Sequence, residues 1–198
     1  MDWDHRYACG DTPWDKGRAH PLIAARACEW HNHSHRHILV PGCGTGHDAA
    51  AIATALPGSH VTAIDLSRRA LDAARKLGGD LPNLSLIEAN ALQWQPAQPF
   101  DLVWEHTFFC ALHPRQRPEY LQACRRWLRP GGLLHGAFFT HLDDENDGPP
   151  WNCPSAELSA LLRHAFEPPT IHPNTRTFAE RDDAESEVIA RRSAHPES

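Results

Sequence analysis

The sequence predicts a doubly wound α/β fold, a mostly parallel sheet with helices on both faces. Three observations carry that expectation. From His37 onward, short apolar runs alternate with helix-period patterns, as repeated βαβ units require. A glycine-rich turn, Pro41-Gly42-Cys43-Gly44-Thr45-Gly46, separates the first run from the first helical pattern. The second run closes on an acid, Asp65. At 198 residues the chain suffices for one packed domain and is short for two. Residues 1–198 are therefore read as a single domain, a core over 36–192 preceded by an arm over 1–35.

The elements follow in order. Ile38-Leu39-Val40 is the first strand. A helix from about Asp48 carries Ala49, Ile52, Ala53 and Leu56 at i, i+3, i+4, i+7 spacing and stops at Pro57-Gly58. Val61 to Ile64 is the second strand. Ser67 caps the next helix, with Ala70, Leu71, Ala74 and Leu77 as its apolar side and Gly78-Gly79 as its end. Leu84 to Ile87 and Phe100 to Trp104 are the third and fourth strands. A helix from near Pro118 to Leu128 turns through Arg129-Pro130-Gly131-Gly132 into a fifth, Leu133 to Phe139. Ser155 opens a last helix with Leu158, Leu161, Leu162 and Ala165 on one face, and Ser186 to Ala190 supplies a final strand. The first 35 residues and His141–Pro154 read as irregular, and both are candidate lids at the ligand-binding edge of such a sheet.

Composition excludes several classes. No apolar run approaches the roughly 18 residues of a membrane span, and the first residues lack the basic-then-apolar order of a secretion signal. A cytoplasmic protein is the expectation. A formal charge of −6 with scattered Lys and Arg disfavours a nucleic-acid partner. Six cysteines without a C-x-x-C pair read as reduced, mostly buried thiols. Oligomeric state is open.

The glycine turn and Asp65 point to a nucleoside cofactor. Glycines let backbone amides approach a ligand, and a carboxylate about twenty residues on can accept two ribose hydroxyls. Dinucleotide sites read G-x-G-x-x-G, with pyrophosphate at the helix N-terminus. Here the third glycine comes one position early, and Asp48 places a carboxylate in the first helical turn. That charge repels a pyrophosphate but not a sulfonium amino acid, which favours S-adenosylmethionine.

The strings that make the reading specific are Thr12-Pro13-Trp14-Asp15-Lys16-Gly17-Arg18, Leu39 to Asp48, Ile64-Asp65-Leu66-Ser67, Phe100 to Val103, Phe108-Phe109-Cys110-Ala111-Leu112 and Gly148-Pro149-Pro150-Trp151. With them the chain resembles the class I S-adenosylmethionine-dependent methyltransferases, and within these the thiopurine, thiol and halide methyltransferases. The resemblance implies a Rossmann-like sheet of seven strands. It implies that Trp3, Tyr7 and Trp14 of the arm fold over the cofactor, where aromatic faces suit a cationic sulfonium. It assigns Gly42 and Gly44 to the cofactor loop, Asp65 to the ribose, Asn90 and Ala91 to the adenine, and His106 to a cofactor contact after the fourth strand. Asn90 stands where the family usually has aspartate, and His106 where it often has tyrosine. Glu105 stands where an aspartate is common. Arg117 matches an arginine beside the methyl acceptor.

Methyl transfer from a sulfonium is an in-line displacement with an activated leaving group, so alignment and exclusion of water dominate. A thiol is only partly ionised at neutral pH, and a cation or mild base assists it. Arg117 and His106 are the candidate catalytic residues, and the acceptor is a small molecule: a thiol, thiopurine, halide, or selenium or tellurium species. Cys43 and Cys110 read as packing residues. No metal is expected, although the alternate histidines of His31 to His37 offer a rival metal-binding reading on an extended chain. A nicotinamide oxidoreductase and a non-catalytic S-adenosylmethionine-binding protein are the other rivals.

Overall fold

The computed structural model describes residues 1–142 and 148–194. Helices α1 (Trp3–Cys9) and α2 (Pro21–Asn32) precede β1 (His37–Pro41), α3 (His47–Ala55), β2 (His60–Asp65), α4 (Arg68–Gly78) and β3 (Leu84–Glu88). There follow β4 (Phe100–His106), α5 (Arg117–Trp127), β5 (Leu128–Phe139), α6 (Ser155–Arg163), β6 (Thr170–Pro173) and β7 (Glu185–Arg191). Among the described residues the strand order is β3-β2-β1-β4-β5-β7-β6, a seven-stranded sheet. The β1/β2, β2/β3 and β4/β5 pairs are parallel, while β7 runs antiparallel to both β5 and β6. The predicted α/β class and mostly parallel sheet are therefore what the chain adopts. No helix among the described residues is long and apolar enough to cross a membrane.

The chain divides into two compact units, Met1–Trp94 and Gln95–Ser198. In the first, Ile38, Leu39, Val40, Val61, Ala63 and Ile64 are buried. Strands covered on both faces read as continuous apolar runs, which is why they were visible in the sequence. Helices α3 and α4 pack on each other and against β2 and β3. Ser67 caps α4 by accepting the Ala70 N–H, as predicted. In the second unit, Trp104, Tyr120, Leu121, Cys124, Trp127, Leu134 and Phe138 form the core around β4, β5 and α5.

Several expectations need correction. The first 35 residues are not irregular, because Asp2 caps α1 through the His5 N–H and Pro21 opens α2 behind a His20 cap. Leu22, Ile23 and Trp30 give α2 a buried side. Leu77 is exposed near the end of α4 instead of joining its apolar face. The stretch Arg129 to Gly132 is not a turn before β5 but lies within it: Phe100 pairs with Leu128, and the register shifts before Leu102 meets Leu133. Strand β6, mostly exposed, was not anticipated. Of the lid candidate His141–Pro154, residues 143–147 lie outside the described residues.

Candidate active site

The first unit builds a cradle from the turn after β1 and the end of β2. Asp65 receives two backbone N–H groups, Gly44 on Oδ2 and Ser67 on Oδ1, each at 2.8 Å. A carboxylate offers about four acceptor positions. These two bonds fix its plane while lone pairs remain for a vicinal diol. Burial raises the Asp65 pKa, and the N–H bonds pull against that shift. The Cys43 N–H bonds the Ile64 carbonyl at 3.0 Å, tying the turn opened by Gly42 to β2. Gly44 and Gly46 have φ of 54° and 85°, backbone that favours glycine. A Cβ at Gly44 would stand 2.9 Å from the Tyr7 hydroxyl, and one at Gly46 2.7 Å from Ala74 Cβ.

The arm is docked on this cradle by three carboxylates. Asp4 accepts the Ser67 hydroxyl (2.8 Å) and the Arg69 N–H (3.1 Å) at the start of α4. Asp15 accepts the Thr45 hydroxyl at 2.6 Å and the Gly17 N–H at 2.8 Å. Asp48, buried in the first turn of α3, accepts the His20 N–H at 2.8 Å. Two carboxylates, Asp48 in the first turn of α3 and Asp15 on Thr45 just before it, thus stand at the helix end where a pyrophosphate would bind. That disposition opposes the dinucleotide reading.

Docking brings Trp3, Tyr7 and Trp14 together. The Trp14 ring meets Trp3 edge-on at 5.4 Å and Tyr7 at 5.7 Å, and Trp14 Nε1 donates to the Tyr7 hydroxyl at 3.1 Å. Burial, aided by the Asp65 charge, pushes the Tyr7 phenol well above its usual range, so it stays neutral. The Arg6 guanidinium lies 4.4 Å from the Trp14 centroid, a cation already seated on the ring. Beyond β3, whose Glu88 pairs with Asp65, the Ala89 N–H bonds the Asp65 carbonyl. Asn90 follows, exposed, its Oδ1 accepting the Leu92 N–H at 3.1 Å, and Ala91 is buried. Of the residues expected at the cofactor, Trp3, Tyr7, Trp14, Gly42, Gly44, Asp65, Asn90 and Ala91 belong to this unit and His106 to the second.

In the second unit, His106 ends β4. Its Nε2 lies 2.8 Å from Arg181 Nη1. A guanidinium only donates, so Nε2 accepts and the ring proton sits on Nδ1. Arg181 is buried, donates to Glu185 Oε1 at 3.1 Å, and stacks on Phe139 (5.2 Å) and Phe178 (5.1 Å). Glu185 Oε2 also accepts the Thr177 hydroxyl at 2.5 Å. Nothing local marked Arg181 in the sequence, since its histidine partner is 75 positions away.

Glu105, one residue before His106, is fully buried. Its Oε1 accepts the N–H groups of Phe108 (2.9 Å) and Phe109 (2.8 Å), and its Oε2 the Tyr120 hydroxyl. Burial raises its pKa to about 7, against the pull of those three donors. A carboxyl whose folded pKa exceeds its unfolded value stabilises fully below the unfolded pKa and loses that contribution as pH rises through the folded one. Stability should therefore fall between about pH 4.5 and pH 7, by on the order of 3 kcal/mol in all. Urea unfolding of wild type and Glu105→Gln at pH 5 and pH 8 checks this. The gap between the two proteins should move against wild type at the higher pH, and a constant gap refutes the assignment.

Arg117, the other catalytic candidate, is buried. Its Nη2 donates to the carbonyls of Trp151 (3.0 Å) and Asn152 (2.9 Å), Nη1 reaches Glu157 at 3.5 Å, and the guanidinium stacks on Phe109 at 4.9 Å. It grips the chain after Gly148-Pro149-Pro150, and its Nε has no hydrogen-bond partner among the described residues.

A family model described as thiopurine S-methyltransferase matches residues 1–193. The chain belongs to that family. As a thiopurine S-methyltransferase family member it is an S-adenosylmethionine-dependent methyltransferase. It is 37% identical over 163 residues to a probable thiol methyltransferase 2 of Arabidopsis thaliana, covering 81% of this chain and 70% of that one. It is 31% identical over 187 residues to thiocyanate methyltransferase 1 of Brassica oleracea, covering 92% and 81%. Among solved structures it resembles the Burkholderia thailandensis 1,6-didemethyltoxoflavin-N1-methyltransferase bound to S-adenosylhomocysteine. That likeness has a TM-score of 0.69 at 22% identity over 97% and 86% of the two chains, and bears on the fold.

Within this family member, burial pushes the Cys43, Cys110 and Cys124 thiols well up and Cys153 to about 12, so none is a ready nucleophile. All six cysteines are unpaired, but Cys9 and Cys28 are exposed, against the expectation of mostly buried thiols. The His31 to His37 run is not extended. His31 belongs to α2, His33 bonds the Glu29 carbonyl at the helix end, His35 is buried, and His37 starts β1. The spacing argument for a metal there loses its geometric basis.

Proposed function

We propose that the enzyme methylates ionisable sulfur in a small molecule, with other soft nucleophiles (halides, selenium and tellurium species) as further acceptors. The reading places it in the cytoplasm as one catalytic domain over 1–198, with arm residues 1–35 over the cofactor and no nucleic-acid partner. Bound S-adenosylmethionine supplies an activated methyl group on a sulfonium. Asp65 would hold the ribose diol, the Gly42–Gly44 turn would admit the amino-acid end, and Asn90 and Ala91 would border the adenine. Trp3, Tyr7 and Trp14 would cover it and exclude water.

The observation that carries the acceptor reading is the buried guanidinium of Arg181 fixed on His106. Its charge is balanced by Glu185, so it acts through His106, holding that ring against an acceptor thiol that otherwise ionises only to a few per cent at pH 7. The His106 Nε2 lone pair is committed to Arg181, so His106 serves as an orienting surface beside the acceptor, not as a base. Arg117 contributes by fixing the Trp151–Asn152 backbone. Relatives named for thiol and thiocyanate methylation support the same choice.

Purified enzyme with S-adenosylmethionine and a panel of thiophenol, 6-mercaptopurine, thiocyanate and iodide tests it. S-methyl products, detected by headspace or liquid chromatography, are expected. Cofactor binding with no product from any sulfur acceptor would establish the non-catalytic rival instead, and tight NADH binding the oxidoreductase.

A further inference from the structure

We infer that Glu105 is a positioning residue for methyl transfer: its carboxylate sets the conformation of the turn that presents His106. The inference rests on the proposal that His106 borders the acceptor. The strand ends abruptly at that point. Thr107 has φ of 64°, left-handed backbone that a β-branched residue adopts only when its surroundings impose it. Glu105 imposes it. Glu105 Oε1 receives the Phe108 and Phe109 N–H groups at 2.9 and 2.8 Å, the two donors that open the short helical turn Phe109–Ala111. A side chain thus performs for this turn what an N-cap does for a helix.

The other carboxylate oxygen is locked by the Tyr120 hydroxyl of α5. The Phe108 and Phe109 rings pack on Tyr120 at 5.1 and 6.2 Å, and Phe109 packs on Phe138 at 5.3 Å. Thr107 Oγ1 donates back to the His106 carbonyl at 2.7 Å. His106 is therefore held twice, at its ring by Arg181 and at its backbone by the turn that Glu105 closes. A side chain misplaced by about 1 Å can cost roughly a hundredfold in rate.

The test compares Glu105→Ala, Glu105→Asp and Glu105→Gln, each alone and with Thr107→Gly, in the full chain. Glu105→Ala should lower kcat for a thiol acceptor by about a hundredfold while cofactor Kd changes less than about twofold. Glu105→Asp keeps the charge but falls short of both N–H groups. It should lose about tenfold, and it carries the test if the alanine variant does not fold. Glu105→Gln, whose carbonyl oxygen reaches both donors, should recover to within about threefold of wild type. Glycine at 107 adopts positive φ without enforcement, so Thr107→Gly should restore much of the kcat lost in Glu105→Ala or Glu105→Asp. Loss of kcat in Glu105→Gln equal to that in alanine, wild-type kcat in Glu105→Asp, or no rescue by Thr107→Gly overturns the inference.

A readout independent of turnover separates it from the acceptor reading. In protein labelled with 15N-histidine, the His106 ring signals, assigned through a His106→Asn variant, should shift and broaden in Glu105→Asp. Unmoved signals refute the positioning role. If wild type methylates no sulfur acceptor, the acceptor reading falls while these signals still decide what Glu105 does.

Discussion

Asp65→Ala is expected to weaken S-adenosylmethionine binding by about a hundredfold to ten-thousandfold in calorimetric titration. The range follows from losing two hydrogen bonds to a charged group, each about 1.5–3 kcal/mol, at 1.4 kcal/mol per factor of ten. Part of the loss is indirect, because the Gly44 and Ser67 N–H groups lose their common acceptor. Asp65→Asn separates the contributions. It retains a neutral acceptor for one N–H and should fall between wild type and alanine. Burial disfavours the Asp65 charge, which offsets part of what the second N–H bond contributes, so the asparagine variant should melt above the alanine variant even as affinity drops. Affinity gained at a cost in stability is the usual trade at a ligand site. Unchanged cofactor affinity in Asp65→Ala would remove Asp65 from the site.

Arg181→Ala is expected to be the most damaging change in the second unit, lowering both turnover and melting temperature. It strands Glu185 in the interior, and breaking a buried pair costs about 3–5 kcal/mol. For a chain of this size that corresponds to a fall of about 6–20 °C. The fall in turnover has a separate origin, the lost anchor of the His106 ring, and a second substitution exposes it. Arg181→Met with Glu185→Gln removes both charges, keeps much of the volume, and should regain most of the melting temperature. Methyl transfer to thiols should stay depressed at least tenfold, roughly the minimum for losing one charged hydrogen bond in the transition state. Recovery of both together would make Arg181 a packing residue.

How far these features could be seen in advance depends on sequence separation. The first two strands, the glycine turn and Asp65 were readable because a single βαβ unit places them within 37–65, and because the β1 and β2 interiors are buried and, Thr62 apart, apolar. The family strings located the arm aromatics, but not the helix that carries two of them. Helix α1 has seven residues, none buried, and no apolar stripe to announce it. The α2 signal was present in Pro21, Leu22, Ile23 and Trp30, and was masked by the histidines that end it. Arg181 was invisible: Glu180-Arg181-Asp182-Asp183 reads as a solvated charge cluster, and only the return of the chain to His106 gives it meaning. Arg117 was singled out by the family resemblance as a catalytic candidate, but its burial was not legible, since the carbonyls that it binds come 34 and 35 positions later.

The outermost strand has a further consequence. Strand β6 has only four residues, follows Pro168 and Pro169, and ends on Pro173, with β7 as its neighbour. Proline has no amide hydrogen to offer a ladder. A short rim interrupted in this way is a poor template for a stray extended chain, which is how natural sheets guard against aggregation. Growth of the sheet from this border into chains of stacked copies is disfavoured by the sequence of the border itself.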